Sequence, residues 1–387
     1  MTNKLIHTVL NVFTGCLFLL FIISFSFNFN IIPDIGGWCA PLFEFLASFT
    51  QSLFTEVSYV NYSSGEDSLG LYYNLLNITL LSVVFTFFIF KFFAIPKVLK
   101  MIDFFSVVVR YYVILMLIYY GFDKVYKMQF SLPEPNIEFT RVKDLQSDIL
   151  FWTTMGKSYS YSLITGLLEV AAGAFLMFYK TRLLGVLFSV AIFTQVLLIN
   201  IGFDVTMKVF SAMLLLMSLY MLTPYLKMLS RIFFTTYSTA IVIPSFQSSL
   251  TWGGYKKYIK VFVILLIITE GNFKAFSTGN FNDDLQDRPY ANGAFEVGSY
   301  SLNGEELAEQ RWNYFYVHRN GYFIIELADE SKVDFRMEFI NGTTQMKITD
   351  YKFNESILGF VKHGNEVKIT YPLGTDTLKI IAHQLSY

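Results

Sequence analysis

The chain has 387 residues, of which 54% are hydrophobic, 18% aromatic and only 15% charged, with a formal net charge of −1. Soluble domains carry about 25% charged residues, so this composition points to a membrane. A near-neutral chain without a basic cluster interleaved with aromatics argues against nucleic acid as a partner, and two cysteines, Cys16 and Cys39, provide no disulfide framework.

The first apolar run covers residues 5–26. Phe13-Thr14-Gly15-Cys16 looks like a lipoprotein cleavage box, but the apolar core follows Cys16 instead of preceding it, so an uncleaved helix is expected. Residues 27–71 contain no Lys or Arg and five acids, Asp34, Glu44, Glu56, Glu66 and Asp67. Within them, Trp38 to Phe54 is amphipathic and is expected to lie along the interface. A crossing there would be interrupted by Pro41, Glu44 and Gln51.

Further crossings are expected at about 73–90, 103–120, 160–179, 183–201, 206–223 and 258–273, which makes about seven. Each is near the length that a hydrocarbon core about 30 Å thick requires. Residues 124–158 form a mixed acid-and-base segment with Pro133 and Pro135, and 225–255 read as a cytoplasmic connection broken by Pro244 and Gly253-Gly254. With the N-terminus inside, Lys4, Lys91, Lys97, Lys100, Lys180, Arg182, Lys227, Arg231, Lys256, Lys257 and Lys260 share one side. Lys124, Lys127, Arg141, Lys143 and Lys157 fall on the other. The excess of basic residues predicts a cytoplasmic N-terminus in a bacterial inner membrane, and seven crossings then put the C-terminal domain in the periplasm.

Residues 1–273 form the expected helical domain, 274–290 a polar linker and 291–387 a soluble β-domain. In the last part, VDFRMEF and QMKITDY alternate with period two, and Asn320-Gly321, Asn341-Gly342, Gly364-Asn365 and Gly374 punctuate the strands. About eight short strands are expected, at 294–301, 311–318, 321–328, 332–340, 345–352, 356–362, 366–371 and 377–385. Eight strands in so short a stretch must curl or close to protect their edges, so the fold class is a membrane all-α bundle followed by an all-β barrel or curled meander.

The polar residues inside the apolar runs are the candidate site. Glu169 lies about ten residues into its run, near the midplane at 1.5 Å per residue, and is either a proton or substrate group or a paired structural acid. Gly166 and Gly173 share its face and allow a neighbouring helix to approach closely. Arg110, about 10 Å inside the third run, either snorkels to the interface or reaches Glu169, and is its expected partner. Asp123, Lys124, Asn200, Asp204 and Lys208 are expected at similar depth near the outer end. Asp204 and Lys208 are spaced as a helical pair or as part of a polar mouth. Tyr119 and Tyr120 read as an interfacial belt in preference to a cofactor pocket. His318, His363 and His383 are scattered over strands, so no metal site is expected.

Two motifs resemble the DoxX-like family of small membrane proteins. One is Gly166-Leu-Leu-Glu169-Val-Ala-Ala-Gly173 followed by Lys180-Thr-Arg182-Leu-Leu-Gly185; the other is Tyr120-Gly121-Phe122-Asp123-Lys124. The resemblance covers about residues 103–223, and the long form with a terminal β-domain is similar to DoxX-related proteins of Bacteroidota. Polar residues inside the bundle without a catalytic or cofactor set lead to the expectation of an accessory membrane protein whose DoxX-like bundle binds a small lipid-like ligand or a partner protein, with no cofactor evident. Some DoxX relatives are subunits of a thiosulfate:quinone oxidoreductase, so the resemblance carries a quinone-linked redox subunit as the alternative. The chain has no pair of membrane histidines to hold a haem.

Overall fold

The computed structural model describes residues 2–54, 67–234, 255–307, 312–340 and 344–385. These form two compact units, one made of residues 1–130 and 158–283, the other of 131–157 and 284–387. The expected turn at Asn341-Gly342, and Pro244 with Gly253-Gly254, lie outside the described residues, as do Glu56 and Glu66.

The first unit is helical. Its elements are α1 (Thr2–Ser24), α2 (Ile35–Ser52), α3 (Leu69–Phe92) and α4 (Ile95–Val125). After the short α5 (Pro135–Glu138) and α6 (Ser147–Gly156) of the other unit come α7 (Tyr159–Met177), α8 (Arg182–Gly202), α9 (Lys208–Leu222), α10 (Leu226–Phe234) and α11 (Lys256–Thr278). Six helical segments are long and apolar enough to cross a membrane: Lys4–Ser24, Leu69–Phe92, Ile95–Val125, Tyr159–Met177, Arg182–Gly202 and Lys208–Phe234. They run from 19 to 31 residues, close to or beyond the ~20 that a bilayer needs.

α4 is the axis of this unit. Its residues Tyr112–Ile118 are buried in an unbroken run, a pattern that only a helix surrounded on all sides can satisfy. α1 runs parallel to it, with Gly15 against Phe105 and Phe27 against Tyr119. α7 runs antiparallel, because Gly166 meets Gly121 and Lys124 while Gly173 meets Leu117 and Ile118. α9 is antiparallel as well, with Phe210 near Tyr120 and Tyr220 near Ser106. Polar side chains stitch α3 into the bundle: Asn74 donates to Ser24 at 3.1 Å, and Thr50 donates to Asn77 at 2.6 Å.

α2 is not among the six apolar spans. Gly36 near its start packs on Phe25, and Phe54 just past its end stacks on Tyr73. Phe25 and Tyr73 sit at the same end of the bundle, as the Asn74–Ser24 bond requires, so α2 lies across that end instead of along it. Its exposed stripe of Trp38, Leu42, Phe45 and Phe49 suits an interfacial helix.

The seventh expected crossing is α11. It carries Lys260, Glu270 and Lys274 and is not among the six spans. By packing, however, it runs the length of the bundle. The Nζ of Lys260, near its start, lies over the ring of Phe178 at the end of α7. Gly271, near its other end, packs on Ile118 and Phe122 of α4, and Asn272 accepts a hydrogen bond of 2.5 Å from Tyr126. The helix continues to Thr278, into the stretch expected to be a linker, and Asp283 N then donates to Tyr126 O at 3.2 Å.

The second unit is an antiparallel sheet of β1 (Gly293–Leu302), β2 (Glu305–Glu306), β3 (Trp312–Val317), β4 (Tyr322–Leu327), β5 (Lys332–Ile340), β6 (Gln345–Thr349), β7 (Glu355–His363), β8 (Glu366–Leu373) and β9 (Asp376–Gln384). β1 pairs with both β3 and β9, so eight strands close into a barrel and the two-residue β2 hangs on its rim. Every second residue faces inward, as in Leu358 and Phe360, Val367 and Ile369, or Leu378, Ile380 and Ala382. An eight-stranded barrel is just wide enough for such side chains to fill it. Gly364 and Gly374 take positive φ in the two-residue turns after β7 and β8, where the twist of the flanking strands requires it.

Residues 131–157 belong to this unit. Glu134 pairs with Arg319, Asn136 accepts from His318 Nε2 at 2.6 Å, Thr140 bonds Lys332 at 2.7 Å, and Arg141 pairs with Glu330. Gly156 lies so close to the backbone of Ser131 that a side chain there would collide with it.

Candidate functional site

The geometry of the α4–α7 seam explains the polar residues near Lys124. Gly166 brings the two backbones together, since a Cβ on it would stand 2.6 Å from Gly121 O and 2.9 Å from Lys124 Cβ. Helical side chains lean toward the N-terminus of their own helix. On antiparallel neighbours, Lys124 therefore leans down toward Gly121 while Glu169 leans back toward Gly166, and the two meet. Lys124 Nζ lies 2.8 Å from Glu169 Oε2, and both side chains are more than nine-tenths buried. The ammonium also lies 5.7 and 5.6 Å from the ring centres of Tyr120 and Phe130. Ser162 donates to Lys124 O at 2.7 Å and closes the seam above the pair.

The expected pairing of Glu169 with Arg110 is therefore corrected. Arg110 is fourteen residues before Lys124, about 21 Å along α4 at 1.5 Å per residue. Lys124 is the partner because both side chains lean toward each other and α4 continues to Val125. Asp123 lies beside the pair, within electrostatic reach of Lys124, Glu169 and Lys274.

Asn200, Asp204 and Lys208 form a second group at the α8–α9 turn. Asn200 donates to Met207 O and to Ser211 Oγ, both at 3.1 Å. Lys208 reaches Asp204 at 2.7 Å, the expected i,i+4 pair, although Asp204 itself sits in the turn with φ +55°. Asp67 accepts from the backbone N–H groups of Lys208 and Val209 and so caps α9 from a distant part of the chain. Tyr119 and Tyr120 join Phe27, Phe29 and Phe210 in a ring cluster inside the same end of the bundle.

Glu270, which sequence reasoning did not single out, is the most fully satisfied acid of the bundle. It is 1% exposed and accepts hydrogen bonds from the N–H groups of Asn30, Ile31 and Ile32 and from Asn30 Nδ2, at 2.6 to 3.0 Å. The signal that could have found it is an acid near the outer end of an expected crossing. Three of its four donors are backbone groups about 240 residues earlier, which no side-chain pattern reveals.

Arg110 is placed instead at the opposite end of the unit, in a cavity of about 100 Å³ that also has Asn11, Ser106, Arg182, Tyr220 and Tyr225 in its wall. Among the described residues, no group of three or more His, Cys, Asp or Glu is arranged to hold a metal ion.

Together these features define an integral membrane protein, a helical bundle locked by buried polar contacts and joined to a closed β-barrel unit. No family model matches the chain. The chain is 33% identical over 103 residues to "Uncharacterized protein YwoB" of Bacillus subtilis (strain 168). That match covers 27% of this chain and 65% of the Bacillus protein, so the chain spans slightly less than two-thirds of the relative's length. No solved structure matches.

Proposed function

We propose that the chain is an accessory inner-membrane protein of the DoxX-like type, which holds a β-barrel unit on the periplasmic face and binds a lipid-like ligand or partner in its bundle. The observation that carries this reading is the run of α11 along the bundle. Residues 131–157 leave α4 and lead into α7, and 284–387 follow α11; both segments belong to one compact unit and must share one side of the membrane. The four helices α7, α8, α9 and α11 between them return the chain to the side it left, if each crosses. With the first crossing starting inside, that side is the periplasm.

The buried charges of the bundle support a holding role. Lys124 neutralises Glu169 inside the seam, and Glu270 is saturated by backbone donors. An acid clamped this way fixes helix positions. The test is what accompanies the protein through purification from native membranes. A bound amphiphile or partner in stoichiometric amount supports this reading. Recovered quinone, with reduction of added quinone by thiosulfate, would replace it with the redox-subunit alternative.

A further inference from the structure

Among the described residues, the arginines of the cavity beside Arg110 meet no carboxylate. Arg110 stacks on Tyr111, 5.2 Å from guanidinium carbon to ring centre, and Arg182 stacks on Tyr179 at 5.5 Å. Arg182 also bonds Tyr225, yet its Nε is buried without a hydrogen-bond partner among the described residues. Arg110, Arg182 and Lys260 lie close enough to repel one another. Among the described residues, no carboxylate lines the cavity or pairs with either arginine. Asp103 acts on Tyr220 but is not part of the wall. Residues 235–254 contain no Asp or Glu that could fill the gap.

Arg110 and Arg182 are half-buried, and cations drawn out of water are costly unless an anion or a set of acceptors meets them. Arginine's planar fork matches phosphate oxygens in geometry, and the start of α8 at Arg182 adds the positive end of a helix dipole. Ser106 and Tyr220, 3.0 Å apart, supply hydroxyls to the same space. The volume of about 100 Å³ is several times the ~10–15 Å³ that one water needs. Its depth is equally informative. Arg182 opens α8, Tyr225 follows the end of α9 and Lys260 stands near the start of α11, so three helices end at this level, where a lipid phosphate can enter, while Arg110 reaches the cavity from midway along the longer α4.

We propose that this cavity binds the phosphate of an anionic amphiphile, with Arg110 and Arg182 as its two forks and the acyl chains left in the bilayer. This rests on the membrane-ligand reading above and names the ligand's chemistry. The probes are dioctanoyl phosphatidylglycerol, dioctanoylglycerol and inorganic phosphate, each titrated into the delipidated full chain in a neutral detergent, with melting temperature as the readout. Phosphatidylglycerol should raise the melting temperature saturably, and dioctanoylglycerol should not. Arg110→Gln and Arg182→Gln should each weaken the effect about tenfold or more, as loss of a charged hydrogen bond implies, and Arg182→Lys should retain more than Arg182→Gln. If phosphate alone stabilises and competes, the natural ligand is a free phosphate compound; if it does neither, the lipid is the source. Where the glutamine variants do not fold, Ser106→Asp places a carboxylate in the cavity and should abolish the lipid effect. Equal lipid affinity in wild type, Ser106→Asp and a folded Arg110→Gln/Arg182→Gln double variant, or equal stabilisation by dioctanoylglycerol, would overturn the proposal. Either failure would leave the crossing pattern, which is tested by labelling, untouched.

Discussion

Lys124 and Glu169 face each other across the closest approach of α4 and α7, Nζ to Oε2 at 2.8 Å, with Gly166 one turn away holding the backbones together. Removing one member of such a pair leaves a buried charge alone, a loss of about 3–5 kcal/mol. Glu169→Gln and Lys124→Met should each lower detergent stability by about that amount, and the double variant should recover part of it. Arg110→Gln combined with Glu169→Gln should be additive. A double-mutant cycle on chemical or thermal denaturation decides between the pairings, and coupling to Arg110 would contradict the seam described here.

The seam also depends on the absence of side chains. Gly166→Ala would set a Cβ 2.6 Å from a backbone oxygen that cannot move without parting the helices, so a loss of about 1–3 kcal/mol is expected. Gly202→Ala has open space around it and serves as the control. Equal melting temperatures for the two variants would show that α4 and α7 are not in contact at Gly166.

How much of this was legible in the sequence depended on the range of the interaction. The strands of the barrel were readable because alternation and two-residue turns are local, and Gly364 and Gly374 stand where the hairpins turn. The helices were readable from apolar length, and α2 from its stripe of Trp38, Leu42, Phe45 and Phe49. The partner of Glu169 was not, because it depends on side-chain lean across two helices 45 residues apart. Nor was the membership of residues 131–157, since Glu134 finds Arg319 and Asn136 finds His318 more than 180 residues later. The cavity at Arg110 is a product of four chain segments and leaves no mark in any one of them.

His318 makes the second unit sensitive to pH. Burial lowers its pKa against the pull of Glu134 and Asp334 and with the push of Arg319. A histidine with a lowered folded pKa resists protonation in the native state, while the unfolded chain takes up a proton near pH 6.5. Stability is therefore complete above about 6.5 and falls as the pH drops toward the folded pKa, by at most about 1.4 kcal/mol per pH unit for one proton. His318→Gln keeps a donor toward Asn136 without titrating. Its melting temperature should fall less between pH 7 and pH 5.5 than that of the wild type; parallel curves would remove His318 from the account.

The most direct test of the account is the side of the membrane on which two distant residues lie. In a chain with Cys16 and Cys39 replaced, single cysteines at Val142 and Tyr351, both exposed, and at Lys227 after α9 would be challenged with an impermeant maleimide in intact cells with a permeabilised outer membrane. Val142→Cys and Tyr351→Cys should both be labelled from outside, and Lys227→Cys should be labelled only after the inner membrane is opened. Labelling of Val142→Cys and Tyr351→Cys from opposite sides would mean that α11 does not cross and that the two segments of the barrel unit cannot belong together.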